Sequence, residues 1–134
     1  MNPAPLASPL AEAMPPARMY FGLEGRIGRG DFWRHGVLGL GVGGLVMLAL
    51  LDIAGLDEEQ ADNVVNLLML WPAVAISAKR WHDRGRSGWW VLVALLPVIG
   101  WLWTLLENGL LPGDRGPNRY GAAPPHAPEL LPLP

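Results

Sequence analysis

Residue types able to do chemistry concentrate in one stretch, Lys79-Arg80-Trp81-His82-Asp83-Arg84-Gly85-Arg86-Ser87-Gly88-Trp89-Trp90. An imidazole titrates at about pH 6.5, so His82 is placed to carry a proton near neutral pH, with Asp83 or an arginine tuning it. Adjacent side chains on a helix do not face each other, so a His82–Asp83 relay requires the backbone to turn, which Gly85 and Gly88 permit. The plain alternative is a structural turn in which Asp83 caps the following helix or pairs with Arg80, Arg84 or Arg86. Those arginines, flanked by Trp81, Trp89 and Trp90, also combine phosphate-binding forks with aromatic anchors suited to headgroup depth. Such a basic pocket suits an anionic lipid headgroup; the simpler reading of the same charges is a topology signal. Beyond Ser87 no nucleophile stands nearby, so a non-enzymatic role is expected. His35 and His126 lie on other segments, giving no metal-ligand spacing, and no metal or cofactor is expected.

Placing this stretch requires the rest of the chain. Its 134 residues carry a net charge of −2, with 51% hydrophobic and 16% charged residues and no cysteine, which excludes disulfides, thiolate metal sites and a cysteine nucleophile. The charged residues leave three uncharged windows, Gly36–Leu51, Asn63–Ala78 and Ser87–Leu106. A spanning helix needs about 20 mainly apolar residues. An all-α membrane protein is therefore expected, a small bundle of three transmembrane helices over about 33–53, 63–79 and 88–106. The third has tryptophans towards both ends. The second contains Pro72; a kinked span is the preferred reading, and a re-entrant or core helix is the alternative. Residues 1–18 and 122–134, rich in proline and alanine, are expected to be disordered tails around a domain at 19–121, and the first shows no signal-peptide pattern.

Arg18, Arg26, Arg29 and Arg34 precede the first span, and Lys79, Arg80, Arg84 and Arg86 separate the second from the third. Between the first two stand Asp52, Asp57, Glu58, Glu59 and Asp62 with no basic residue. The positive-inside rule predicts a cytoplasmic N-terminus, and three spans would then put the C-terminus outside. Gly39 and Gly43 have the small-xxx-small spacing that lets membrane helices approach, within one protomer or in a homo-oligomer. Gly39, Gly41 and Gly44 match a dinucleotide fingerprint by letter but lack its strand–turn–helix setting. Nucleic acid is not an expected partner, since the chain is acidic overall and its basic clusters are short.

Four blocks occur in order: Gly25-Arg26-Ile27-Gly28-Arg29 leading to Phe32-Trp33; Arg80-Trp81-His82-Asp83 followed by Arg86-Ser87-Gly88-Trp89-Trp90; Leu96-Pro97-Val98-Ile99-Gly100; and Pro112-Gly113 with Gly116-Pro117-Asn118-Arg119-Tyr120-Gly121. In these the chain, from about Tyr20 to Pro124, resembles the DUF805 family of small bacterial inner-membrane proteins. It departs from the family's usual pattern at Lys79-Arg80-Trp81, where two arginines and a leucine are common, and at Gly28, where serine is common. The resemblance implies a multi-pass inner-membrane protein and marks Arg26, Arg29, Trp33, Asn118 and Arg119 as motif residues, but it implies no activity. The leading expectation is a non-enzymatic module that binds anionic lipid or a membrane partner through residues 79–90. The alternative is an oligomeric transporter or proton pathway using His82 and Asp83. None of the three windows contains a charged residue, which favours binding over transport. Asn118 and Arg119 can reach the His82–Ser87 loop only if both ends of the third window come to one side.

Overall fold

The computed structural model describes residues 13–125, and among these it is helical with no strand. A short helix α1 (Pro16–Phe21) leads to two long helices, α2 (Arg29–Ile53) and α3 (Glu58–Asp83), joined by a tight turn with Gly55 at φ +88°. A 3-10 helix (Gly88–Leu95) follows, then α4 (Ile99–Thr104), which runs on as π-helical Leu105–Leu110. The expected tails at 1–12 and 126–134 lie outside the described residues. Within the expected N-terminal tail, Pro16–Arg18 instead form the start of α1, where proline's missing N–H is no loss.

Both α2 and α3 are long and apolar enough to cross a membrane. At 1.5 Å per residue the 26 residues of α3 extend about 39 Å. Asp57 caps α3 by accepting a hydrogen bond from the Gln60 amide (2.9 Å), and Glu58 and Glu59 complement the helix dipole. Pro72 neither breaks nor re-enters: the helix continues through it, so the re-entrant alternative for this window does not hold. Packing against α1 and α2 supports the helix around the buried Pro72. At the other end Gly85, at φ +67°, closes α3 with its amide on the His82 carbonyl while the Arg86 amide reaches Trp81. In α2 the stretch Phe32–Leu40 is π-helical. This places Gly36 under Ile76, and about two turns further on Gly44 lies under Val65. These two glycines make the approach to α3. Of the expected pair, Gly39 lies against Tyr20 and the Arg34 carbonyl, and Gly43 meets nothing within 4 Å among the described residues, so within this chain neither makes the approach to α3.

The third window departs most from expectation, because residues 88–106 do not form one helix. Proline has no amide hydrogen and forces the residue before it out of the helical region. Leu96 is accordingly extended (ψ 110°) before Pro97. Val98 then takes φ +63° in a three-residue turn closed by the Ile99 amide on the Pro97 carbonyl (2.7 Å). Gly100 faces the Val93 carbonyl so closely that any side chain there would overlap it. The chain therefore doubles back as a hairpin. Gly88 lies against His82 and Ala78, while Glu107 and Asn108 return to the same end of α3. A straight helix over residues 88–106 would have held those ends about 27 Å apart.

The apolar core also sits at that end: Met19, Ile27, Phe32 and Ile76 are buried together, with Met14, Tyr20 and Leu40 against them. Elsewhere the long helices touch each other only along a narrow seam, at Gly44 and Val65, with Ala61 also buried, and much of their apolar surface is exposed. On α2 Leu38, Leu45, Leu50 and Ile53 are exposed, so in water this surface would be an extreme exposed patch, whereas lipid chains satisfy it.

Candidate functional site

The end of α3 holds a cluster of charged side chains that are almost wholly buried. Asp83 is at its centre. Arg26 donates from Nε to Asp83 Oδ1 (3.1 Å) with its Nη2 3.0 Å from the same oxygen, and Arg80 Nη1 donates to Asp83 Oδ2 (2.6 Å). Both guanidinium side chains are 0% exposed and the carboxylate side chain only 4%. Charges at that depth persist only when paired and fully hydrogen-bonded, and here they are. Arg26 also donates to the carbonyls of Gly116 (2.7 Å), Gly121 (3.2 Å) and Asp114 (2.8 Å). Arg80 reaches the carbonyls of Asn108 (2.7 Å) and Leu111.

These bonds fasten the segment 111–121 across the end of the helix bundle as a strap. Its Asp114 amide donates to the Asp83 carbonyl (2.7 Å), and Asn118 Nδ2 to the His82 carbonyl (2.9 Å) and to Asp114 Oδ2 (3.0 Å). Asn118 Oδ1 accepts from the Tyr120 amide, which sets Tyr120 flat on the His82 ring at 3.9 Å and 7°. Arg119 donates to the Gly85 carbonyl (3.3 Å). The condition for Asn118 and Arg119 to reach the loop after α3 is thus met, because the hairpin returns the chain to that side. Gly113 is required by the close packing, since a methyl there would collide with the Asp83 carboxylate.

Other motif residues serve the same assembly. The Trp33 indole donates to the Gly109 carbonyl (2.9 Å), and Arg29 to that of Leu110 (3.2 Å). Lys79, fully buried, donates to the carbonyls of Gly22 and Arg18 at the end of α1, a cation where the helix dipole is negative. Arg84 donates to the Pro112 carbonyl (3.2 Å) and pairs with Glu107 (2.8 Å).

The expected lipid-binding set therefore divides. Arg80 and Arg84 turn inward to the protein's own carbonyls and carboxylates, which removes them from the expected headgroup pocket. Asp83 pairs with Arg80, as the structural reading of the turn allowed, and with Arg26, which no local spacing suggested. His82 and Asp83 form no relay: His82 Nδ1 lies 3.2 Å from the Gly25 carbonyl and Asp83 faces the arginines. Arg86 stays at the surface. Its guanidinium carbon lies 5.9 Å from the Trp81 ring centre and 5.0 Å from that of Trp90, with no hydrogen bond among the described residues. Trp89 beside it is 77% exposed. The sequence alone singles out neither Glu107 nor Asp114, and it marks Gly113 and Tyr120 only as members of the fourth motif block, with no role attached. No group of three or more His, Asp or Glu residues placed to hold a metal occurs among the described residues.

A family profile described as a protein of unknown function, DUF805, matches residues 20–122. Among curated bacterial proteins the chain is similar to the inner membrane protein YhaI of Escherichia coli K12, 35% identical over 105 residues covering 78% of this chain and 87% of the relative. It is also similar to the inner membrane protein YhaH of that strain, 32% identical over 110 residues, 78% and 88% of the two chains. A third relative there, the uncharacterized protein YiiR, is 33% identical over 126 residues, 75% and 84% of the two chains. No solved structure matches the chain.

Proposed function

The chain belongs to the DUF805 family, and from that premise we propose that it is a multi-pass inner-membrane protein that crosses the bilayer with α2 and α3 and dips into it with the hairpin. The hairpin brings Arg115 and Arg119 to the end that already carries the other eight basic residues, so all ten face one side. The acidic turn between α2 and α3 faces the other. By the positive-inside rule the basic end, with both termini, is cytoplasmic.

Its role in this reading is non-enzymatic: it holds an anionic membrane partner, a phospholipid headgroup, at the edge formed by Arg86, Trp89 and Trp90, with the fully buried Trp81 behind them. One observation carries this, the placement of Arg86 against two indole rings. Stacking holds a guanidinium while leaving its in-plane N–H groups open to phosphate oxygens. Trp89 anchors that edge at headgroup depth.

The test uses the purified full chain in detergent, titrated with phosphatidylglycerol and read by native mass spectrometry. Replacing Arg86 with Gln should lower phosphatidylglycerol occupancy about fivefold, the worth of one exposed charge-assisted contact. Unchanged occupancy would remove this edge from consideration.

A further inference from the structure

Beyond the Trp-lined edge, a cleft of about 350 Å³ opens between the start of α2 and the strap. Its charged lining is mixed in sign. Arg29, Arg34 and Arg115 stand with Asp31 and Asp114, and Asp83, already neutralised by Arg26 and Arg80, forms part of the wall. Arg34, Arg115 and Asp31 make no ion pair or side-chain hydrogen bond among the described residues. Arg29 spends only Nη1, on the Leu110 carbonyl. A position for a side chain on Gly30 meets no atom within 4 Å, so the cleft is open there.

Two unpaired guanidiniums and a half-used third beside an unpaired carboxylate do not suit a simple anion. A purely anionic ligand would leave Asp31, and Asp114 with only the neutral Asn118 amide on its carboxylate, facing like charge, and a cation would leave the arginines doing so. A ligand carrying a phosphate and an amine on a short tether satisfies both. Depth adds to this: at helical rise the 25 residues of α2 extend roughly 35 Å, more than the hydrocarbon core of about 30 Å, so Arg29–Arg34 fall in the headgroup layer.

We propose that this cleft binds the phosphoethanolamine headgroup of a membrane phospholipid, with Arg34 and Arg115 on the phosphate and Asp31 on the ammonium. Arg29 adds a further donor to the phosphate. The site differs from the Arg86 edge in place and in ligand charge. The two proposals share only the membrane setting.

Full-length protein in detergent is offered equal phosphatidylethanolamine and phosphatidylglycerol, with bound lipid read by native mass spectrometry. Phosphatidylethanolamine should be retained preferentially, and Arg34→Gln with Arg115→Gln should lower its occupancy about tenfold. Asp31→Asn should abolish the preference while leaving phosphatidylglycerol bound. Gly30→Leu, which fills the cleft without altering charge and favours the helix, should block phosphatidylethanolamine. Arg86→Gln should leave phosphatidylethanolamine untouched, which separates failure of this site from failure of the other. Retained preference in Asp31→Asn, or full occupancy in Gly30→Leu, overturns the proposal. Soluble phosphoethanolamine should compete with the lipid; saturation by it with no displacement by phosphatidylethanolamine would assign the cleft to a free ligand and overturn the lipid source.

Discussion

Replacing Asp83 with Ala should release the strap. The carboxylate receives Arg26 at 3.1 and 3.0 Å and Arg80 at 2.6 Å, and both guanidiniums are fully buried. Removing one partner of a buried pair costs about 3–5 kcal/mol, because the remaining charge is left uncompensated. Arg26 and Arg80 keep their carbonyl acceptors on Asp114, Gly116, Gly121, Asn108 and Leu111, which argues for the lower end, about 3 kcal/mol. At 1.4 kcal/mol per tenfold this is roughly a 150-fold rise in the population with residues 111–121 detached. Trypsin reports that population directly when reclosing outpaces cleavage, since Arg115 and Arg119 lie within the strap. Cleavage at these two arginines, followed by mass in the detergent-solubilised full chain, should accelerate about 150-fold in Asp83→Ala. In Asp83→Asn, which keeps one acceptor oxygen, the increase should be about tenfold. Asp52→Ala, an exposed acid at the opposite end, should have no effect. Cleavage of Asp83→Ala within threefold of the parent would refute the account of Asp83 as the centre of the assembly.

Gly113→Ala places a methyl on the Asp83 carboxylate and should cost about 2 kcal/mol, read as faster trypsin cleavage of the strap; parent-like resistance would show that the strap can shift at no cost. The hairpin is testable by labelling, since the chain has no cysteine of its own. With an impermeant maleimide in intact cells and inverted vesicles, Arg115→Cys should label from the same side as Glu24→Cys and opposite to Glu59→Cys. Labelling of Arg115→Cys together with Glu59→Cys would restore a single span for residues 88–106.

Much of this arrangement is legible in residue order. The capping Asp57 with Glu58 and Glu59, and the closing Gly85 after Arg80 and His82, mark both ends of α3. The uncharged windows mark where apolar helices lie. The motif residues flagged by the family resemblance converge on one place: Arg26, Arg29, Trp33, Asn118 and Arg119 all bond to the strap, its leading residues or the end of α3. Less legible was the direction in which the arginines face. Composition places Arg80, Arg84 and Arg86 alike at a membrane surface, yet two donate to carbonyls some 30 residues further on and one lies on indole faces.

The two prolines separate what belongs to the sequence from what belongs to the fold. Pro72 and Pro97 each stand within an uncharged window, and locally each removes one amide and disfavours helix before it. Residue types and their order determine the apolar lengths, the charge asymmetry, the caps and the absence of thiol chemistry. Only the tertiary structure decides that the helix runs on through Pro72, buried against its neighbours, and folds over at Pro97. There Gly100 admits the Val93 carbonyl, and the returning chain is tied by Arg84 to Glu107, Arg80 to the Asn108 carbonyl and Asp83 to Asp114. Those partners are 23 to 31 residues apart, and their pairing free energy exists only once the hairpin has closed.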